Sequence, residues 1–359
     1  MALGDDKVPS QFPTSVGNIA FVAEAPGVTE LKERIPLVGA SGQEFNRMLL
    51  EAGINRTECY VGNLFDFKLP GNKVEAICGG KKEMPKDYPY PAIAPGNYLR
   101  PRYFHNLERL KAELESVRPN VVVPLGNTAL WAVCKTTGIK SVRGSLMTSS
   151  LIPGMKVIPT FHPAAILRKW DDRLKVITDL MKVLAQSTFP EIRRPKREVW
   201  IEPVFDDLEL FYEEHIRGCE LLSVDIETSP ARRLITTMSF APNSNLSLSV
   251  PLVDLRQRGD YSYWPDLETE KLVWEWIRKI MEDPEIPKLF QGGTQYDIPW
   301  FLKEMGIKVY GAVHDTMLLH HSLYPEMEKG LAFLGSIYTN EVAWKLMRPR
   351  GQKTENRSD

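Results

Sequence analysis

The sequence predicts two α/β domains in series, a doubly wound parallel sheet in the first half and a mixed sheet in the second. In the first half, short runs of branched apolar residues alternate with amphipathic helical segments, which is typical of βαβ units. In the second half, three strand-like runs come first and helical segments follow, which favours a mixed α/β sheet. The length of 359 residues suits about two domains.

In the first half, each strand-like run precedes a helical pattern. The predicted strands are 19–23, 59–63, 121–125 and 155–159. The predicted helices are 41–52, 107–117, a short helix after Gly126-Asn127-Thr128, and 171–184. Ser41 and Glu44 fit a capping box at the first of these helices, and Gly53 suits its carboxyl end. The stretch from about Asp66 to Pro101 is rich in Pro, Gly and Tyr, which predicts a long ordered loop.

In the second half, the apolar pattern predicts strands first and helices afterwards. The strands are 220–225, 234–240 and 246–250, and the helices are 268–281, 298–305, 316–322 and 331–338. We therefore expect domains at 1–189 and 200–347, joined by a basic, proline-rich linker at 190–199. That linker is either a solvated connector or a patch for a DNA backbone. A polar tail, 348–359, is expected to be disordered.

Composition and charge exclude some classes of protein. The net charge of -1 and pI of about 6.6 give no global basic field, so contacts with nucleic acid must come from local patches. No run of 18 apolar residues or signal-peptide core occurs, so we expect no membrane contact. The four cysteines are scattered, which predicts reduced thiols and a cytoplasmic location.

Two carboxylates at the end of a predicted strand form the first candidate site. Asp225 and Glu227 are one residue apart, so both side chains point to the same side of the strand. Like charges repel, and a divalent cation such as Mg²⁺ is a common means of compensation. From these residues alone, a metal site and a solvated surface turn are both open readings.

The Asp-Ile-Glu motif at 225–227, followed by Gly-Thr-Gln-Tyr-Asp at 293–297, resembles the proofreading 3′–5′ exonuclease of family A DNA polymerases, especially phage versions. The resemblance implies a ribonuclease H-like fold in which Asp225, Glu227 and Asp297 hold two Mg²⁺ or Mn²⁺ ions. Asp315 matches a further family aspartate that we do not count as a ligand. The family's later Tyr-x-x-x-Asp is missing, so we expect either a fragment or split gene product of a longer polymerase, or an incomplete nuclease. A separate polymerase domain or subunit is then the expected partner.

Four motifs in the first half occur in the order of another family. They are Ala-Glu-Ala-Pro-Gly at 23–27, Pro-Leu-Val-Gly-Ala-Ser-Gly at 36–42, Tyr-Val-Gly-Asn at 60–63 and Pro-Thr-Phe-His-Pro-Ala at 159–164. This set resembles the uracil-DNA glycosylase superfamily, nearest to family 4. The resemblance implies that Glu24 supports the sugar cation or orients water and that Asn63 reads the uracil edge. It also implies that His162 donates to the base oxygen.

The first half departs from that family at two points. Leu37 occupies the position of a Phe that stacks on uracil, so it contributes an apolar contact without a ring. Family 4 enzymes hold an iron–sulfur cluster with four cysteines; the N-terminal C-x-x-C is absent here and Phe67 lies near a ligand position. We therefore expect no cluster.

Three functional hypotheses follow from these motifs. The first is a DNA-processing enzyme of phage replication acting on single-stranded DNA or 3′ ends, including uracil-containing DNA, in the cytoplasm of a bacterial host. The second is a catalytically impaired DNA-binding module that senses uracil or holds template for a separate polymerase. The third is a scaffold that retains the motifs through its fold alone.

Overall fold

The structure is a computed structural model that describes residues 7–15, 17–254, 256 and 261–341. The predicted polar tail, 348–359, lies outside these residues. Contacts divide the described residues into two compact α/β units: those up to 193 together with 332–341 form unit 1, and those from 194 to 331 form unit 2.

Unit 1 begins with strands and helices in alternation. In chain order they are β1 (Ile19–Ala23), α1 (Val28–Glu33), α2 (Ala40–Glu51), β2 (Cys59–Asn63), β3 (Cys78–Gly79), β4 (Tyr98–Leu99), α3 (His105–Val117), β5 (Val121–Pro124), α4 (Gly126–Cys134), α5 (Ile139–Val142), β6 (Met147–Thr148), β7 (Lys156–Val157), α6 (Pro163–Ile166) and α7 (Arg173–Gln186). Apart from the short pair β3–β4, the segment between β2 and α3 contains only single 3₁₀ turns, as the Pro-, Gly- and Tyr-rich composition predicted.

The main sheet of unit 1 has the strand order β2-β1-β5-β7-β6, and all its pairs are parallel except β6–β7. Every residue of β1 is buried, because helices cover both faces of the sheet. Ala20 and Val22 pack into one core cluster, and Ile19, Phe21 and Ala23 pack into the other. This arrangement is the predicted doubly wound sheet.

The amino end of α2 differs from the sequence prediction. The helix begins at Ala40 with Gly39 as its N-cap, so the capping box predicted for Ser41 and Glu44 is wrong. The Gly39 N–H donates instead to Glu30 Oε1 at 2.8 Å, and the buried Glu44 pairs with Arg173. A carboxylate from another element has therefore replaced the local cap.

Unit 2 contains the remaining strands and most of the remaining helices. They are β8 (Glu198–Trp200), α8 (Phe205–Phe211), β9 (Leu222–Ser229), β10 (Leu234–Asn243), β11 (Leu246–Pro251), α9 (Leu267–Glu282), β12 (Lys288–Phe290), α10 (Asp297–Glu304), β13 (Val313–Asp315) and α11 (Thr316–Leu323). The last described helix, α12 (Leu331–Tyr338), begins in unit 2 and continues in unit 1.

The sheet of unit 2 is mixed, with the order β13-β12-β9-β10-β11-β8. β10 is antiparallel to β9 and β11, whereas β12 runs parallel to β9 and β13. On β9, Leu222, Val224 and Ile226 point into the core, so Asp225 and Glu227 lie on the opposite, exposed face.

The domain limits remain a prediction. β8 begins at Glu198, inside the proposed linker 190–199, where it pairs with β11. Residues from Ala332 onward group with unit 1, although we assigned 200–347 to one domain. Within unit 1, Lys182 of α7 donates to the carbonyls of Gly144 and Ser336 at 2.7 and 2.8 Å, which fixes α12 at that position.

Candidate active sites

A pocket of about 230 Å³ lies at the carboxyl edge of the sheet in unit 1. The predicted residues Glu24, Leu37, Asn63 and His162 all line it. The topology explains this convergence, because the carboxyl ends of parallel strands meet at one edge. Ala23 pairs with Asn63 at the ends of β1 and β2, and Leu125 forms a bridge to Thr160, two residues before His162.

Glu24 follows β1 and is partly buried in the pocket wall. Burial raises the pKa of its carboxyl group, and the charge of Glu75 acts in the same direction. The Thr128 hydroxyl donates a hydrogen bond to Glu24 Oε2, which favours the ionised form and opposes the rise in pKa. Sequence reasoning missed Thr128, which sits in the first turn of α4.

His162 caps the amino end of α6. Its Nδ1 accepts a hydrogen bond from the Ala164 N–H at 3.1 Å, so the proton of the neutral ring must reside on Nε2. Burial and the charge of Arg168 lower the pKa of His162 to about 4. The ring is therefore neutral near pH 7 and presents one N–H donor, on Nε2.

Leu37 adopts a left-handed backbone conformation with φ of 51°, which is strained for a residue with a branched side chain. The guanidinium of Arg56 donates to Pro36 O at 2.5 Å and to Leu37 O at 2.7 Å. Gly42 lies against the same carbonyl, since a Cβ there would approach Leu37 O to 2.0 Å. Arg56 and Gly42 together maintain the turn that places Leu37 in the pocket.

Two other side chains near this edge have different roles. Glu30 accepts hydrogen bonds from the N–H groups of Gly27, Val38 and Gly39, and so joins the turns that follow β1 and precede α2. The sequence analysis missed it, although its Gly-x-x-Glu spacing is that of a capping box. Asn127, which also follows a strand, is outside the pocket lining and accepts from the N–H groups of Gly138 and Ile139.

The absence of an iron–sulfur cluster remains a prediction, and the structure describes where the four cysteines lie. In unit 1, the thiols of Cys59, Cys78 and Cys134 are buried and donate to three separate backbone carbonyls. Burial raises the pKa of Cys59, Cys78 and Cys134 to about 12, 11 and 12, so in the metal-free chain these thiols are protonated near pH 7. Cys59 packs in a different core cluster from the other two, and Cys219 belongs to unit 2.

The second candidate site lies at the carboxyl edge of β9, β12 and β13. Asp225 and Glu227 project from β9, Asp297 is the first residue of α10, and Asp315 is the last residue of β13. A hydrogen bond of 2.5 Å between Thr228 and Tyr296 joins the segments that carry these acids. Asp297 and Asp315 are buried, with 5% and 4% of their surface exposed.

Burial, together with repulsion from neighbouring acids, raises the pKa values of Asp225 and Asp297. Asp225 has a raised pKa because surrounding protein partly desolvates it and Glu227 repels its charge. Burial and the charges of Asp225 and Asp315 raise the pKa of Asp297 to about 6. In the described part of the chain, no lysine or arginine forms an ion pair with any of the four. Uncompensated carboxylates of this kind fit the oxygen-donor chemistry of Mg²⁺ or Mn²⁺.

The arrangement nevertheless lacks a closed set of ligands. Among the described residues, no three His, Cys, Asp or Glu side chains lie close enough together to hold one metal ion. Asp315 Oδ1 accepts from the N–H groups of Gly292 and Met317, so this side chain also orders the loop after β12. The metal ligands Asp225, Glu227 and Asp297 thus stay a prediction.

Gly293, four residues before Asp297, packs directly against Phe290. A Cβ at this position would lie 2.3 Å from Phe290 Cβ, so no side chain fits without movement of the loop.

Comparison with known proteins agrees with the division into two sites. Residues 9–185 match the family described as "Uracil DNA glycosylase superfamily", and residues 206–351 match the family described as "3'-5' exonuclease". The chain therefore combines a glycosylase-type domain with an exonuclease-type domain, an organisation that supports a role in DNA repair or replication.

The chain belongs to the uracil DNA glycosylase superfamily. It is 33% identical over 168 residues to the type-4 uracil-DNA glycosylase of Thermotoga maritima, covering 46% of this chain and 74% of that protein. It is also 24% identical over 326 residues to the DNA polymerase of Bacillus phage SP01, covering 84% of this chain but only 32% of the polymerase. These relatives, glycosylases and a polymerase, are consistent with an enzyme.

Solved exonuclease structures have only a distant overall likeness to the chain. Escherichia coli RNase D has a TM-score of 0.30 and 18% identity, covering 41% of this chain and 34% of that one. The EXD2 exonuclease domain soaked in Mg and dGMP has a TM-score of 0.25 and 21% identity, covering 43% and 73%. Among the described residues, no helix has the length and apolar character needed to cross a membrane.

Proposed function

We propose that unit 1 removes uracil from DNA by hydrolysing the N-glycosidic bond. The observation that carries this proposal is the convergence of Glu24, Asn63 and His162 on one pocket. These three side chains supply a carboxylate, an amide and a neutral N–H donor. A flipped-out uracil needs a group for its sugar, one for its base edge and one for its developing anion.

Each group has a distinct task in the proposed reaction. The Asn63 amide donates to and accepts from the uracil edge, which selects the base. His162 Nε2–H donates to the base oxygen as the bond between C1′ and the base nitrogen breaks and negative charge moves onto the base. Glu24, as a carboxylate, stabilises the cationic sugar and orients water, whose oxygen bonds to C1′. The water's proton passes to the surroundings or to the leaving base.

Single-stranded DNA with one uracil tests this function. We expect abasic sites with the natural chain and a loss of about 10²-fold or more in rate for Glu24→Gln, since acid–base groups contribute that much. Glu33→Gln, an exposed glutamate in α1, is the matched control and should retain the rate. Equal rates for Glu24→Gln and Glu33→Gln, or no abasic sites with the natural chain, would contradict the proposal.

We further propose that unit 2 is a 3′–5′ exonuclease, with Asp225, Glu227 and Asp297 as ligands of two divalent ions. This proposal is supported by the group of carboxylates at one sheet edge, in which Glu227 repels Asp225 and Asp225 repels Asp297. When bound, the ions would activate water and neutralise charge on the leaving 3′ oxygen. Tyr296, which is exposed beside Asp297 and bonded to Thr228, would order the rim of the site.

The nuclease proposal is tested with 5′-labelled single-stranded DNA and Mg²⁺. We expect progressive shortening from the 3′ end, which Asp225→Asn abolishes while DNA binding persists. The control is Asp206→Asn, an exposed aspartate of unit 2 in α8. Full-length DNA that stays uncut by the natural chain, with binding intact, would argue against this activity.

The second candidate function is a DNA-binding module that senses uracil or holds template for a separate polymerase in a bacterial host. Leu37 in the stacking position and the lack of a closed ligand set favour it. Uracil-dependent binding without base release or nucleotide release would support this alternative. Abasic-site formation that requires Glu24 would exclude it for unit 1.

A further inference from the structure

In unit 1, α3 carries an arginine, Arg109, that is not among the residues lining the pocket. Arg109 Nη2 donates to the backbone carbonyls of Asn63 at 2.7 Å and Leu64 at 3.0 Å. We propose that Arg109 is a positioning residue, which fixes the end of β2 so that the Asn63 amide meets the base edge in one orientation. This inference rests on the proposed glycosylase function of the pocket.

A carboxylate network holds the guanidinium itself in place. Arg109 Nη1 donates to both oxygens of Glu113 at 2.9 and 2.8 Å, one helical turn further along α3. Glu113 Oε2 also accepts from the Tyr60 hydroxyl at 2.6 Å and from the Ser10 hydroxyl at 2.8 Å. Tyr60 belongs to β2, so the network ties the strand and the helix together on both sides of Arg109.

The turn that Arg109 holds is bonded to the turn that carries Glu24. The Leu64 N–H donates to Ala23 O at 2.8 Å, and the Phe65 N–H donates to Glu24 O at 3.0 Å. The end of β2 that Arg109 holds is therefore bonded to the end of β1, which has its own strand pairing with β5. Charge-assisted bonds suit this role, since they are stronger and more directional than neutral ones.

A positioning role predicts a particular kinetic signature. Asn63 binds the base before and during bond cleavage, so loosening it should raise KM more than it lowers kcat. For Arg109→Lys and Arg109→Met, we expect KM to rise about tenfold and kcat to change less than about threefold, given the strength of hydrogen bonds to charged groups. Lysine keeps the positive charge but lacks the planar guanidinium with its several N–H donors. Arg109→Lys should therefore not restore the KM of the natural chain.

Lys111→Met is the matched control, because Lys111 is an exposed cation of the same helix that pairs only with Glu115 among the described residues. It should leave both kinetic constants unchanged. A double-mutant cycle with Asn63→Ala separates positioning from general destabilisation. If Arg109 acts through Asn63, Arg109→Met should change KM less than about twofold in the Asn63→Ala background. Additive losses would overturn the proposal.

Hydrogen exchange provides a readout that does not depend on catalysis. In Arg109→Met, the Leu64 and Phe65 amides should exchange at least about tenfold faster, while the amides of β5 keep their protection. If the natural chain releases no uracil, the glycosylase proposal fails. Hydrogen exchange at Leu64 and Phe65 still tests whether Arg109 holds the end of β2. Unchanged exchange at these two amides, in a folded Arg109→Met variant, would show that Arg109 does not hold the turn.

Discussion

Two titratable residues of the unit 1 pocket respond to the same environment in opposite directions. Burial favours the neutral form of each, so it raises the pKa of Glu24 and lowers that of His162. In the proposed reaction, the neutral form of His162 is the useful one, because it keeps a donor on Nε2 without an added charge. The same proposal needs Glu24 ionised, and the Thr128 hydroxyl favours that ionised form.

The lowered pKa of His162 predicts how stability depends on pH. The unfolded chain binds a proton near pH 6.5, while the folded ring does so only near pH 4. The contribution of neutral His162 to stability is therefore present above pH 6.5 and lost as pH falls towards 4. We expect the Tm of the natural chain to fall more steeply over this range than that of His162→Asn.

Thermal melts at intervals between pH 7 and pH 4.5 measure this difference. Acid-sensitive carboxylates are common to both proteins, so they cancel in the comparison. Parallel curves for the natural chain and His162→Asn would contradict the assigned protonation state.

At the residue scale, the sequence predicted four side chains that line the unit 1 pocket and missed those that support them. Glu24, Asn63 and His162 stand directly after strands or in motifs, so their position in the chain indicates their position in the fold. Arg56 and Arg109 act on backbone carbonyls of distant segments, at 19 to 46 residues' separation. No local pattern encodes such partners.

At the scale of elements, the sequence predicted the strands whose own residue pattern is typical of a strand. The alternation of apolar and polar residues in β9 and the continuous apolar run of β1 are visible without the fold. β8, β12 and β13 have three residues each and were missed, because parallel pairing with a neighbouring strand defines them. The missed β12 and β13 bring Asp297 and Asp315 to the edge of β9.

The carboxylate edge of β9, β12 and β13 predicts a link between pH, metal and stability. The pKa of Asp297 is about 6 in the folded chain against 3.8 as its ordinary value, so its ionisation opposes folding as pH rises through this interval. Without metal, Asp297→Asn should therefore be more stable than the natural chain at pH 8, by the order of 1 kcal/mol, and equally stable near pH 4.

With Mg²⁺ or Mn²⁺ bound, the natural chain should be more stable than Asp297→Asn at pH 8. A cation that binds the folded chain raises its Tm, and the gain should be large at pH 8 and small at pH 5, where Asp297 is mostly protonated. Asp297→Asn should lose the gain, whereas Asp206→Asn should keep it. A metal-induced rise in Tm that is equal in all three proteins would place the ion elsewhere.

At the scale of the whole molecule, two sheets each place polar residues at the carboxyl edge of parallel strands. At its edge, unit 1 presents one carboxylate with an amide and a neutral imidazole. At the edge of unit 2, four carboxylates lie together, and among the described residues none of the four pairs with a lysine or arginine. The first set suits a reaction whose charge is met by hydrogen bonds. In the proposed nuclease, the second set would need added positive charge before a phosphodiester could approach.

This contrast predicts that a chelator separates the two proposed activities. In DNA with an internal uracil and a 5′ label, EDTA should stop shortening from the 3′ end and leave uracil release within about twofold, since Glu24, Asn63 and His162 act through side-chain hydrogen bonds. Added Mg²⁺ should restore shortening alone. A thermal unfolding curve in EDTA shows whether the protein stays folded. If the folded protein loses uracil release in EDTA and regains it when Mg²⁺ is added, the result contradicts our proposal for unit 1. In that case, the three side chains would not be sufficient to stabilise the developing charge.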